Sequence, residues 1–185
     1  IVVHRWHFRR YRVQTKVVLV TTAALIFFPA LFFYLDGIAS GGAVGERWLA
    51  AFFQSVTART AGFNTVDLTE MSSASRMLLI ILMLIGGSPG STAGGIKTTT
   101  FAVLVANAFA TFHRKDDVHF FSRRIDNLTV KNAATILVLY LSLLLVGALL
   151  ISLIDHITLG NSLYETASAI GTVGLMIGIT PELSV

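Results

Sequence analysis

Residues 77–112 read MLLIILMLIGGSPGSTAGGIKTTTFAVLVANAFATF. As one helix these 36 residues would run about 54 Å, well beyond the roughly 30 Å hydrocarbon core of a bilayer. The middle of the stretch, Gly86-Gly87-Ser88-Pro89-Gly90-Ser91-Thr92-Ala93-Gly94-Gly95, holds five glycines and a proline and cannot sustain regular helix. The pattern predicts a broken helix: Met77–Ile85, an irregular loop about 14 Å below the outer start at 1.5 Å per residue, and a second arm from about Thr98 to Phe112. Non-helical backbone at that depth is tolerated only where it is buried in protein or lines a watery cavity. The break therefore points to a transport pathway.

The surroundings of the break are membranous. Hydrophobic residues make up 54% and charged residues 13% of the 185-residue chain, against about 25% charged in ordinary soluble domains. Mean hydropathy is +0.74. Val17–Tyr34 and Ala133–Ile154 are each long enough to span a bilayer. The first is longer than a signal-peptide apolar core and lacks a small-residue cleavage site. The absence of cysteine excludes disulfide frameworks, Cys-ligated zinc and a thiol nucleophile.

The formal charge of +4 matters through its placement. Arg5, Arg9, Arg10, Arg12 and Lys16 cluster in residues 1–16, and Arg114, Lys115, Arg123, Arg124 and Lys131 in residues 113–131. The remaining connections are mostly acidic. Short Lys/Arg-rich segments stay cytoplasmic, so both clusters face the cytoplasm and an even number of crossings separates them. Between membrane-length apolar runs, topology accounts for these basic clusters better than a nucleic-acid surface does.

Two half-apolar segments are too short to span: Gly45–Thr57 and Asn161–Ala169. The second opens with Ser162-Leu163-Tyr164-Glu165, a capping-box pattern that makes Glu165 a helix-start acid. Each leads into a glycine turn, Thr60-Ala61-Gly62-Phe63 and Thr172-Val173-Gly174-Leu175, matched at an offset of 112 residues. The predicted architecture is an all-α membrane protein of repeated span, pore helix and span units. Its filter loops are re-entrant and one of its transmembrane helices is broken. A complete unit occupies 17–112, a cytoplasmic loop 113–131 and a partial unit 132–185. The chemistry of such a unit is ion selection. A short helix aimed inward brings its negative carboxyl end to the pore. An extended turn behind it can align backbone carbonyls that replace the water around a monovalent cation. Glycine permits the backbone angles this requires.

The strings QSVTARTAGFNT (Gln54–Thr65), IGGSPGSTAGGIKTTTF (Ile85–Phe101) and YETASAIGTVGL (Tyr164–Leu175) resemble the Trk/Ktr/HKT superfamily of potassium transporters, most closely its KtrB-type membrane subunits. Members carry four such repeats around a pseudo-fourfold pore. The resemblance implies that the chain corresponds to the third repeat and the start of the fourth. It further implies that Gly62 and Gly174 are filter glycines, and that Thr60, Ala61, Thr172 and Val173 line ion sites with their carbonyls. Phe63 and Leu175 complete the two turns. The loop of Gly86, Gly87, Gly90, Gly94 and Gly95, with Lys97, would gate the pore from below. Potassium is the implied cargo, with sodium possible, at the plasma membrane, with no cofactor and no covalent chemistry. A homodimer and a cytosolic nucleotide-binding regulatory subunit of the KtrA or TrkA type are the implied partners, alongside membrane lipid. Each turn has a single glycine where potassium channels have Gly-Tyr-Gly, which weakens the expectation of strict potassium selectivity.

Other readings fit less of the chain. Gly90–Thr98 resembles a P-loop, but Ile96 separates Gly95 from Lys97 and breaks the motif. Arg59 is expected to hydrogen-bond pore-helix carbonyls. The five histidines share no metal-ligand spacing. A fragment of a tetrameric cation channel is the alternative, and it would not need two different turns in one chain. A nucleotide-driven membrane enzyme lacks a valid phosphate loop, and a plain membrane anchor leaves the glycine turns unexplained.

Overall fold

The computed structural model describes residues 11–69, 71–115, 117–121 and 123–177. Among them are six helices: α1 Val13–Leu35, α2 Val44–Thr57, α3 Ser73–Leu84, α4 Thr98–Phe112, α5 Asn127–Asp155 and α6 Leu159–Ile170. Two of these, α1 and α5, are long and apolar enough to cross a membrane. Both begin several residues before the apolar runs that mark them in sequence. Gln14, Thr15 and Lys16 in α1, and Lys131 and Asn132 in α5, extend each helix beyond its apolar run with polar residues. Long cationic side chains allow this by keeping their charge wet above an apolar stem.

The same packing order occurs twice. Along α1 lies α2, fastened by Phe27 against Phe52 (ring centroids 5.5 Å) and by Tyr34 stacked on Trp48 at 4.1 Å. Along α5 lies α6, and there Gly147 sets the distance. A Cβ at Gly147 would come within 2.8 Å of Thr166 Cγ2, so the missing side chain is what lets the helices approach. Ala148 beside it is fully buried.

The start of α6 differs from expectation. The helix begins at Leu159 after Thr158, so Ser162 and Glu165 lie inside it and no capping box forms there. Ser162 Oγ donates back to Thr158 O at 3.2 Å. A real first-turn acid occurs in α2, where Glu46 Oε2 accepts the Ala43 N–H at 2.9 Å.

Two short apolar helices, α3 and α4, flank the glycine loop, with α3 starting at Ser73 rather than Met77 because Ser72 caps it by accepting the Ser75 N–H. The basic 113–131 segment is not wholly loop. His119–Phe120 (β1) pairs antiparallel with Arg123–Arg124 (β2), and Arg124 reaches Asp117 at 2.9 Å. Two-residue strands carry too little periodicity to be read from sequence.

The core gathers where α1, α2, α3 and α6 meet. Phe33, Ala51, Leu79, Leu82, Met83, Tyr164, Ala167, Val173 and Leu175 are all buried there. By contrast, Leu139, Leu143, Leu145, Leu150 and Leu153 of α5 are more than half exposed. An apolar face of that extent suits a hydrocarbon surround rather than water.

Candidate ion-conduction site

The site is built from the ends of α2 and α6. Past the end of α2, Thr57 O accepts the N–H groups of Ala61 and Gly62 at 3.1 and 3.2 Å. Thr57 Oγ1 accepts the Phe63 N–H at 2.9 Å and donates to Phe63 O at 2.7 Å. One threonine thus engages three successive amides of the first turn. In the second turn the Thr172 N–H donates to Ala169 O and the Val173 N–H to Ser168 O, at 3.1 and 2.9 Å.

Both turns share an unusual backbone. Thr60 has φ +73 and Gly62 φ +75, while Thr172 has φ +52 and Gly174 φ +86. Ala61 and Val173 between them have no positive φ. Alternation of this kind flips successive peptide planes, gathering N–H groups on one edge and carbonyls on the other. The N–H edge faces the helix ends. Among the described residues the carbonyls of Thr60, Ala61, Gly62, Thr172, Val173 and Gly174 accept no hydrogen bond. A β-branched residue at positive φ is an outlier, and each such residue costs about 1–3 kcal/mol. Two threonines hold that conformation at equivalent places.

The turns lie side by side. An ideal Cβ at Gly62 would fall 2.0 Å from Val173 O, so the first turn's glycine abuts the second turn's carbonyl. At Gly174 nothing lies within 4 Å of the same construction. Ala61, Thr172 and Gly174 are exposed, and Thr60 and Gly62 are half-buried. Phe63 is 70% exposed, while Leu175 is 1% exposed and anchors the second turn in the core.

The Gly86–Gly95 loop reaches the second turn directly and the first through Arg59, the residue before it. Its arms are joined as Ile85 and Ile96 bridge in parallel, with Ile96 N–H to Leu84 O at 2.8 Å and Gly86 N–H to Ile96 O at 2.9 Å. Gly94 N–H donates to Thr172 Oγ1 at 2.9 Å. A Cβ at Gly86 would stand 1.8 Å from Gly94 O, so the loop also packs tightly on itself. Gly87 and Gly95 lie against the same fold-back, whereas Gly90 at the tip has open space around it. Lys97 Nζ donates to Ser91 O at 3.2 Å and to Ala93 O.

Arg59 takes a different partner from the one expected. Its Nη2 donates to Gly86 O at 3.2 Å, in the loop rather than in the pore helix. Lying two residues past the end of α2, it extends away from that helix toward the break. Three further contacts had no local signal. Thr57 holds the first turn, Gly171 passes so close to Met83 O that a Cβ would sit 2.3 Å away, and Glu165 Oε1 accepts the Ile177 N–H at 3.1 Å. Among the described residues no cluster of His, Asp or Glu could hold a metal.

The fold and these paired turns define a helical membrane protein organised around two adjacent, carbonyl-edged glycine turns. Residues 12–185 match the TrkH family, described as cation transport protein, and the chain belongs to that family. It is 37% identical to Ktr system potassium uptake protein B of Vibrio alginolyticus over 96% of the chain and 40% of that protein. It is 37% identical to potassium/sodium uptake protein NtpJ of Enterococcus hirae over 95% of the chain and 41% of that protein. Ktr system potassium uptake protein B of Bacillus subtilis is 32% identical over 96% of the chain and 41% of its own length. The chain spans about two fifths of the length of these relatives. Membership bears out the resemblance carried by Gln54–Thr65, Ile85–Phe101 and Tyr164–Leu175.

Proposed function

We propose that this chain supplies part of the potassium-conducting pore of a Trk/Ktr-type uptake system in the plasma membrane. The observation that carries the reading is the juxtaposition of Gly62 with Val173 O in two turns of matching φ alternation. Carbonyls at Thr60, Ala61, Gly62, Thr172, Val173 and Gly174 replace water around the cation, and the carboxyl ends of α2 and α6 add negative potential. Binding energy offsets dehydration, and no bond is made or broken. One relative is named for both potassium and sodium, and the single glycine in each turn fits a filter that admits some sodium.

The span, pore helix and turn order is a repeat. Both short helices are re-entrant, and residues 1–16 and the 113–131 segment are cytoplasmic. The 12 residues of α3 carry the break about 18 Å from that helix's outer end, just past the middle of a core roughly 30 Å thick. The loop at that depth is the gate. Thr172 and Arg59 hold its two sides, and Lys97 folds its tip. Relatives named as components of a Ktr system support a cytosolic regulatory partner, and the exposed apolar faces leave room for a second copy and for lipid.

The test is rubidium and sodium uptake by the complete transporter in a host lacking its own potassium uptake. Deletion of residues 88–94 should raise rubidium flux while assembly persists. No rubidium uptake by the well-assembled parent would refute the transport reading. Unchanged flux in a well-assembled deletion variant would refute the gate alone.

A further inference from the structure

We infer that Glu165 is a positioning residue for ion selectivity, holding the second glycine turn in register through the Ile177 amide; this rests on the filter reading above. Glu165 lies in the interior of α6 and is 8% exposed, and its Oε1 accepts the Ile177 N–H at 3.1 Å. Ile177 follows Gly174 by three residues. The bond therefore ties the outgoing end of the turn to the helix that delivers the incoming end. Glu165 also lines the open groove beside Ser168, Thr172, Val173 and Gly174.

The need for such a tie is visible in the first turn, which is fastened differently. There Thr57 Oγ1 both accepts from and donates to Phe63, closing the turn just after its glycine. Aligning the helices pairs Thr57 with Ser168, and aligning the turns pairs it with Ala169. Among the described residues neither provides a side-chain hydrogen bond to the second turn. Gly174 at φ +86 has nothing within 4 Å of where its Cβ would be, so no neighbouring side chain closes that side of the turn. The Glu165–Ile177 bond takes over the task from one helical turn further back, with a side chain long enough to reach.

Length and charge can be separated. Glu165→Gln keeps the reach and the acceptor oxygen but loses the charge. Glu165→Asp keeps the charge but withdraws the oxygen by one methylene. In the complete transporter, rubidium-over-sodium preference and rubidium KM are measured for both, with Gly62→Ala as the filter control. A positioning role predicts that Glu165→Asp lowers the preference about tenfold, the scale of one lost hydrogen bond to a charged group. Glu165→Gln should stay within about threefold of the parent, on the weaker but retained neutral bond. If Glu165→Asp keeps the parental preference while Gly62→Ala loses it, the role of Glu165 is refuted and the filter reading stands. If Glu165→Gln is the damaging change and Glu165→Asp is silent, charge rather than position matters, and the inference is likewise refuted. If Gly62→Ala is also silent, the filter reading fails and this inference with it.

Discussion

Gly62→Ala and Gly174→Ala make the sharpest paired perturbation, because the two glycines share a conformation but not a neighbourhood. At Gly62 the added Cβ would sit 2.0 Å from Val173 O, whereas carbon–oxygen contact begins near about 3.3 Å. The turns would have to part by about 1.3 Å, several times the roughly 0.2 Å within which ion–ligand distances are ordinarily held. Holding alanine at φ +75 costs about 1–2 kcal/mol, and forcing the methyl into packed backbone adds about 1–3 kcal/mol. The combined cost is about 2–5 kcal/mol, a large share of the roughly 5–15 kcal/mol that keeps a typical protein folded. At Gly174 the left-handed cost recurs at φ +86, but nothing stands within 4 Å. That variant carries only about 1–2 kcal/mol. Gly62→Ala should therefore lose rubidium-over-sodium preference and yield less assembled protein. Gly174→Ala should assemble normally with a smaller loss of preference. The assay is competitive uptake of rubidium and sodium, with assembled protein counted by size exclusion in detergent. Parental selectivity in Gly62→Ala, or a worse defect in Gly174→Ala, would refute the side-by-side arrangement of the turns.

Two further outcomes follow from the ends of the helices. Asp36 Oδ2 accepts Ser72 Oγ at 2.6 Å and also Ser75 Oγ, tying the end of α1 to the start of α3. Those hydroxyls, Ser72 first and then Ser75, hold the Asp36 carboxyl below its ordinary value against a small opposing effect of burial. A depressed carboxylate stabilises the fold above its unfolded pKa, near 4, and that contribution is lost as pH falls through the folded value. The thermal-stability gap between parent and Asp36→Asn should therefore be present at about pH 6 and close below about pH 4; a gap that widens in acid would contradict the network. Residues 1–185 contain no cysteine, so sided labelling at introduced cysteines can be read against a parent transporter freed of any other. An impermeant thiol reagent should reach Ser40→Cys only from outside and Lys115→Cys only from inside, and external labelling at position 115 would overturn the topology.

The legible parts of the sequence were those with one dominant physical cause. Length and apolarity mark α1 and α5, and the density of glycine around Pro89 marks the break between α3 and α4. The glycine turns were legible because Thr-x-Gly recurs at a fixed offset after two amphipathic segments. Helix starts were less so. Ser72 outcompetes the onset of apolar residues at α3 through its side-chain cap, and α6 starts after Thr158 rather than at Ser162 with no side-chain cap at all, so neither start is marked by the apolar periodicity. What joins the loop to the turns was not legible at all. Gly94 meets Thr172 across 78 residues, and Arg59 meets Gly86 across 27, each through a single hydrogen bond that leaves no local pattern.

The two turns also show one backbone geometry carried by different sequences and fastened in different ways. Both keep positive φ at the threonine and at the glycine, since the carbonyl edge depends on that alternation. The fastening can vary, because any donor or acceptor that closes the turn will serve. In the first turn Thr57 does so at short range. In the second Glu165 does so at longer range. Gln54 occupies the place of Glu165 behind the first turn. It is fully buried, yet neither of its amide atoms has a hydrogen-bond partner among the described residues. With Thr57 closing the first turn, the long side chain there is left without the task its counterpart performs. A sequence comparison of the two units sees Gln54 and Glu165 as a near-conservative pair. The geometry separates them: among the described residues, Glu165 reaches the segment that leaves its turn and Gln54 does not.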